Sequence, residues 1–90
     1  MKRYLVKRTF PGGLAIAADE AGFQTFSRVV TRNAGVGVTW LHSYLSEDRE
    51  TMVCVYEGPG SEAIRRAAWL NDLPVDRITP VSVLDPHFYR

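Results

Sequence analysis

The imidazole of His42 and the thiol of Cys54 are the nitrogen and sulfur donors that neighbouring strands of this chain could bring together. Imidazole and thiolate together suit borderline and soft metals such as zinc, nickel, copper and cobalt. The alternative is a hydrogen-bonded histidine beside a buried cysteine that packs as a small hydrophobe. For one histidine and one cysteine without C-x-x-C spacing, residue types alone favour that structural interpretation over a metal site.

The second histidine, His87, lies in residues 85–90, after the last predicted strand. A two-fold axis could bring this segment onto a partner subunit, where Asp85 and His87 would be possible metal ligands. The commoner arrangement is a tail packed through Phe88 and Tyr89, with His87 in solvent. His87 is therefore a third candidate ligand, beside His42 and Cys54.

Motifs for catalysis are weak in this sequence. It has no Ser-His-Asp spacing, no glycine-rich phosphate loop and no H-E-x-x-H run. Tyr44, Tyr56 and Cys54 could host proton or redox chemistry inside a closed barrel. No residue, however, can be assigned as a base or a nucleophile.

Composition limits the classes of partner. The chain has 90 residues and a formal charge of +1, which indicates a single domain over residues 1–90 and argues against a nucleic-acid partner. No apolar run approaches membrane-spanning length, and Lys7 and Arg8 interrupt the apolar N-terminal stretch, so we expect neither a membrane span nor a secretory signal. A single cysteine cannot form an intramolecular disulfide, which suits the reducing cytoplasm.

Hydrophobic periodicity and turn residues predict the elements that must position these side chains. They are a strand over residues 3–10, a helix from 19 to about 34, a hairpin of strands 36–46 and 50–57, a helix over 61–72 and a strand over 78–84. Right-handed crossovers fold this βαββαβ order into a ferredoxin-like α+β sandwich, with both helices on one face of a four-stranded antiparallel sheet. Pro80 fits the last strand, because strand order 4-1-3-2 makes it an edge.

Strand alternation predicts which residues occupy the sheet face away from the helices. With a loop at 47–49, Trp40 would lie opposite Tyr56, His42 opposite Cys54 and Tyr44 opposite Met52. The aliphatic residues between them would face the helices. So large an aromatic and sulfur-containing patch is typical of an interface or a ligand site, which predicts a homodimer paired as a dimeric α/β barrel.

Several segments of the chain resemble one bacterial family. They are residues 40–46 (Trp-Leu-His-Ser-Tyr-Leu-Ser) and 54–56 (Cys-Val-Tyr), with further likeness at 8–11, 62–65, 73–78, 84–86 and 88–89. The family is the domain of unknown function DUF4242, also described as the nickel-binding protein family typified by a Streptomyces protein. Residues 59–62 (Pro-Gly-Ser-Glu) depart from the family's Pro-Ser-Pro-Glu pattern, at a helix start where any site should stay intact.

The resemblance implies a ferredoxin-like fold, a homodimer and nickel binding in at least one member, but no known reaction. It also places His42 and Cys54 inside family-like motifs, which raises both as ligand candidates.

Three functional hypotheses follow. The leading one is a small cytoplasmic homodimer that binds a transition metal, nickel first, through His42 and Cys54, for sequestration or sensing rather than turnover. The second is a dimeric α/β-barrel enzyme, of the cofactor-free monooxygenase or isomerase kind, with a cavity lined by Trp40, Tyr44 and Tyr56. The third is a non-catalytic interaction module whose aromatic face serves only dimerisation.

Overall fold

The computed structural model describes residues 2–15 and 20–87. Its elements are β1 (Lys2–Thr9), α1 (Glu20–Ala34), β2 (Thr39–Leu45), β3 (Thr51–Gly58), α2 (Ser61–Leu70) and β4 (Arg77–Val81). The strands form one antiparallel sheet in the order β2-β3-β1-β4. The predicted ferredoxin-like α+β fold is thus confirmed, and Pro80 lies on an edge strand as expected.

The core lies between the sheet and the two helices. Inward residues of β1 and β3 pack there against the buried face of α2, and the cluster comprises Tyr4, Val6, Val38, Cys54, Tyr56, Ile64 and Ala67. The prediction that Cys54, Met52 and Tyr56 face away from the helices is therefore wrong. Aliphatic composition does not distinguish the two faces of β3, because Val55, on the face away from the helices, is also buried.

A bulge in β2 sets the register of the hairpin. Trp40 lies opposite Tyr56, as predicted, but the register then shifts, so that His42 lies opposite Val55 and Ser43 opposite Cys54. Leu41 is the extra residue that the shift leaves on β2. The predicted pairings of His42 with Cys54 and of Tyr44 with Met52 are therefore wrong, since Tyr44 is opposite Val53.

A side-chain hydrogen bond accompanies this bulge. The indole Nε1 of Trp40 donates to Oγ of Ser43 at 2.8 Å, which requires both side chains to lie on the same side of β2. Trp40 packs against the helix-side core. The register shift thus sends Trp40 inward and leaves His42 on the opposite face of the sheet.

Candidate functional site

The face of the sheet away from the helices, called the open face below, carries one of the candidate ligands. His42 and Tyr44 lie there on β2, opposite Val55 and Val53 of β3. Their rings meet edge to face, with centroids 5.3 Å apart and planes at 88°. Both side chains are exposed, Tyr44 to 66% of its surface, so the imidazole of His42 is accessible in a single subunit.

The open face continues across β1 with a mixed apolar and charged surface. Leu5 lies opposite Val55, and Arg3 lies opposite Glu57. Nη2 of Arg3 and Oε1 of Glu57 form an ion pair of 2.7 Å, in which both side chains are about one-third exposed (33% and 32%). An exposed pair of this kind contributes little to stability. Lys7 lies opposite Val53 and Arg77 on the same face, so two exposed cations stand beside the aliphatic residues.

The helix side of the sheet holds a cavity of about 100 Å³. Its lining is predominantly apolar and aromatic, and comprises Phe10, Leu14, Thr25, Val29, Trp40, Met52, Cys54, Tyr56, Asn71 and Leu73. Trp40 and Tyr56 line this cavity on the helix side of the sheet, whereas the predicted cavity, shared with Tyr44, was on the other face. Cys54 is 1% exposed and is a free thiol at the wall of this cavity.

A buried guanidinium is hydrogen-bonded to Tyr56, one of the residues of the cavity wall. Arg8 is 1% exposed; its Nη1 donates to the carbonyl oxygen of Pro74 at 2.7 Å, and its Nη2 donates to the hydroxyl of Tyr56 at 3.0 Å. Its Nε is buried and has no hydrogen-bond partner within the described part of the chain. Sequence reasoning missed Arg8 as a site residue, although strand alternation with Tyr4 and Val6 places it on the inner face.

The environment of Tyr56 is electrostatically unusual. Burial raises the pKa of its phenol above the ordinary value of 10.0, the positive charge of Arg8 opposes that rise, and Cys54 reinforces it. The guanidinium carbon of Arg8 also lies 5.8 Å from the centroid of the Tyr56 ring. The phenol therefore stays protonated at neutral pH and serves as a hydrogen-bonding group rather than as a base.

The candidate metal ligands do not converge within one subunit. His42 is on the open face, whereas Cys54 faces the cavity on the other side of the sheet. His87 is exposed in the tail, where its backbone N–H donates a hydrogen bond of 2.8 Å to Oδ1 of Asp85. Across residues 2–15 and 20–87, no group of three or more His, Cys, Asp or Glu side chains could hold an ion.

The fold and these surfaces define a ferredoxin-like domain with an accessible sheet face and a small helix-side cavity. Residues 4–81 match the family model described as nickel responsive protein SCO4226-like, and the chain belongs to this family. The crystal structure of SCO4226 from Streptomyces coelicolor A3(2) is similar to this chain, with a TM-score of 0.73 and 17% sequence identity over 92% of this chain and 99% of that one. No curated protein matches the chain.

These comparisons confirm the predicted fold and the expected kind of family, one named for a response to nickel. The label DUF4242 and the dimeric pairing stay predictions. No helix in the described residues is long and apolar enough to cross a membrane.

Proposed function

We propose that this protein binds a divalent transition metal, nickel first, on the open face of its sheet, and acts in nickel sequestration or sensing rather than in catalysis. The observation that carries the proposal is the accessible imidazole of His42 on that face, in a chain of the nickel responsive family. Imidazole is a favourable ligand for nickel. The proposed role requires no change in the oxidation state of the bound metal.

The proposal includes a homodimer formed through the open face. Leu5, Val53 and Tyr44 present apolar surface there that a second copy would remove from water. Pairing two copies about a two-fold axis would also bring two His42 side chains to one interface. The donor count on the face, which is too small in one subunit, would then be doubled.

His87 is the second proposed ligand. It is exposed in the tail that follows β4, beside Asp85 and close in sequence to the exposed side chains of Val83 and Leu84. A tail of this composition could pack its apolar residues on a partner subunit and carry His87 toward the shared face. Cys54 is not in the proposed ligand set, because the bulge at Leu41 separates it from His42 by the thickness of the sheet.

The helix-side cavity favours a second candidate function, an enzyme of the dimeric α/β-barrel kind. Trp40, Met52 and Tyr56 line the cavity, which is where a small substrate would bind. The neutral phenol of Tyr56 provides no base for such a reaction. Metal binding on the open face remains the better-supported function.

We also propose a cytoplasmic location, because the single cysteine is a buried free thiol, which suits a reducing compartment.

Elemental analysis tests the metal proposal. Tag-free protein is exposed to nickel and desalted, and its nickel content is compared with that of His42→Ala and His87→Ala. We expect nickel in the native protein and its loss in His42→Ala, with weaker retention in His87→Ala. A native protein that retains none of nickel, zinc, cobalt or copper at micromolar concentrations would leave the dimeric interaction module as the function.

A further inference from the structure

The sheet register places the carboxylate of Glu57 beside His42 on the open face. Val55 of β3 lies opposite His42 of β2, and Glu57, two residues further along β3, lies opposite Thr39. Because side chains two residues apart on a strand point to the same face, Glu57 is the diagonal neighbour of His42 on that face. Long and aromatic side chains at diagonal positions of adjacent antiparallel strands are within reach of each other.

Arg3 holds this carboxylate from the other side. Nη2 of Arg3 donates to Oε1 of Glu57 at 2.7 Å, and Arg3 belongs to β1, which pairs with the edge of β3 opposite to β2. The two side chains are 33% and 32% exposed. An ion pair this exposed is weak, so the carboxylate can exchange one cationic partner for another at small cost.

The open face offers Glu57 as its acidic residue. At the strand positions that the register assigns to this face, the other side chains are apolar, hydroxyl-bearing, cationic or, at His42, an imidazole. Lys7 and Arg77 are protonated at neutral pH and do not bind metal ions in that form. Glu57 is therefore the strand residue of this face that could add an anionic oxygen to the nitrogen of His42.

We propose that Glu57 is a ligand of the metal on the open face, and that its carboxylate leaves Arg3 to bind the metal beside His42. This inference rests on the proposed function and adds to it a ligand and a competing cation. Imidazole nitrogen and carboxylate oxygen form an N,O donor set of the kind that suits divalent nickel and copper. In the proposed dimer, two subunits would supply two imidazoles and two carboxylates.

The exchange predicts opposite effects for the two partners of one ion pair, which titration of nickel into the tag-free full chain measures at constant ionic strength. Glu57→Gln should weaken nickel binding about tenfold or more, because loss of groups that merely support a metal ligand already costs that much. Arg3→Gln should strengthen it about two- to fivefold, the range that an exposed ion pair represents. Undiminished binding by Glu57→Gln, or no gain in Arg3→Gln, would overturn the proposal.

Matched variants separate ligation from a change in net charge. Glu62→Gln removes the same charge from an exposed position on α2 and should bind nickel as the native chain does. Lys7→Gln removes a cation from the open face but leaves the pair of Arg3 with Glu57 in place, so it should raise the affinity less than Arg3→Gln does. Equal gains in Lys7→Gln and Arg3→Gln would contradict the exchange.

His42→Ala, measured in the same series, distinguishes this inference from the proposed function. A native chain that binds no nickel would overturn both. Nickel binding that is lost in His42→Ala but unchanged in Glu57→Gln would overturn only the assignment of Glu57. The visible absorption of bound nickel reports its ligands directly: at saturating nickel the bands should shift in Glu57→Gln and stay in place in Glu62→Gln, and unshifted bands in Glu57→Gln would contradict ligation.

Discussion

The guanidinium of Arg8 and the hydroxyl of Tyr56 are joined by a buried hydrogen bond of 3.0 Å between β1 and β3. The bond crosses the inner face of the sheet, and one side of it borders the helix-side cavity. The hydrogen bond offsets part of the cost of burying both groups, because the phenol oxygen of Tyr56 accepts a hydrogen bond from the positively charged guanidinium. Substitution of either residue should therefore lower the stability of this side of the protein.

Removal of the Tyr56 hydroxyl should therefore leave part of Arg8 unsatisfied. Tyr56→Phe should lower the free energy of unfolding by about 1–3 kcal/mol. Arg8→Met in the same chain removes the unsatisfied donor, so the double variant should lose less than the sum of the two single variants. Urea denaturation of the four proteins measures this coupling, and strictly additive losses would contradict it.

Tight packing at the end of β3 gives a second prediction. A Cβ atom added at Gly58 would lie 3.1 Å from Cδ1 of Ile64 and 3.4 Å from Cγ2 of Val38. Gly58→Ala should therefore destabilise the protein by about 1–3 kcal/mol through overpacking. Ile64→Val removes Cδ1, so the combined variant should be more stable than the sum of the single losses predicts, as thermal unfolding would report. A combined loss equal to or greater than that sum would contradict the assigned contact.

The hairpin turn should respond to acid through Asp48. Its Oδ1 accepts hydrogen bonds from the hydroxyl of Ser46 at 2.6 Å and from the backbone N–H of Glu50 at 3.0 Å. These hydrogen bonds hold the pKa of Asp48 below its ordinary value of 3.8, and the bond from Ser46 has the larger effect. A carboxyl with a lowered folded-state pKa stabilises the fold above its unfolded pKa, and this stabilisation is lost as the pH falls through the folded value.

Asp48→Asn should therefore be slightly less stable than the native chain at neutral pH and equally stable in strong acid, since the amide that replaces the carboxyl does not titrate. Urea midpoints measured from neutral pH to below pH 3.8 test this convergence. A difference between the two proteins that stays constant over this range would show that ionisation of Asp48 does not support the turn.

The proposed dimer predicts unequal effects for two exposed aromatic residues. Tyr44 lies on the open face, whereas Trp69, 80% exposed, lies on α2 on the other side of the molecule. Tyr44→Asp should convert the protein to a monomer by placing charge in the interface, and Trp69→Asp should leave the dimer intact. Sedimentation equilibrium measures both, and dissociation by Trp69→Asp alone would place the interface on the helices.

The sequence allowed the architecture to be predicted, because each element carries its own local signals. The predicted βαββαβ order and the edge position of Pro80 both agree with the observed order of elements and strands. Trp40 and Tyr56 were also paired correctly. These features depend on turn residues and periodicity, which act over a few residues.

The distribution of residues between the two sheet faces could not be predicted in the same way. A bulge at Leu41 changes the face of every later residue in β2, and the alternation of residue types in the sequence does not indicate it. The buried Arg8 was missed for a related reason. A charged residue is ordinarily assigned to the surface, even where alternation places it inside.

The most direct test of the metal proposal compares the two residues that the bulge separates. Isothermal titration of nickel into native protein, His42→Ala and Cys54→Ala should show binding lost in His42→Ala and retained in Cys54→Ala, because only His42 lies on the open face. Far-ultraviolet circular dichroism of each variant controls for folding. Loss of nickel binding in a folded Cys54→Ala, with His42→Ala binding as the native protein does, would contradict the account and place the metal on the helix side of the sheet.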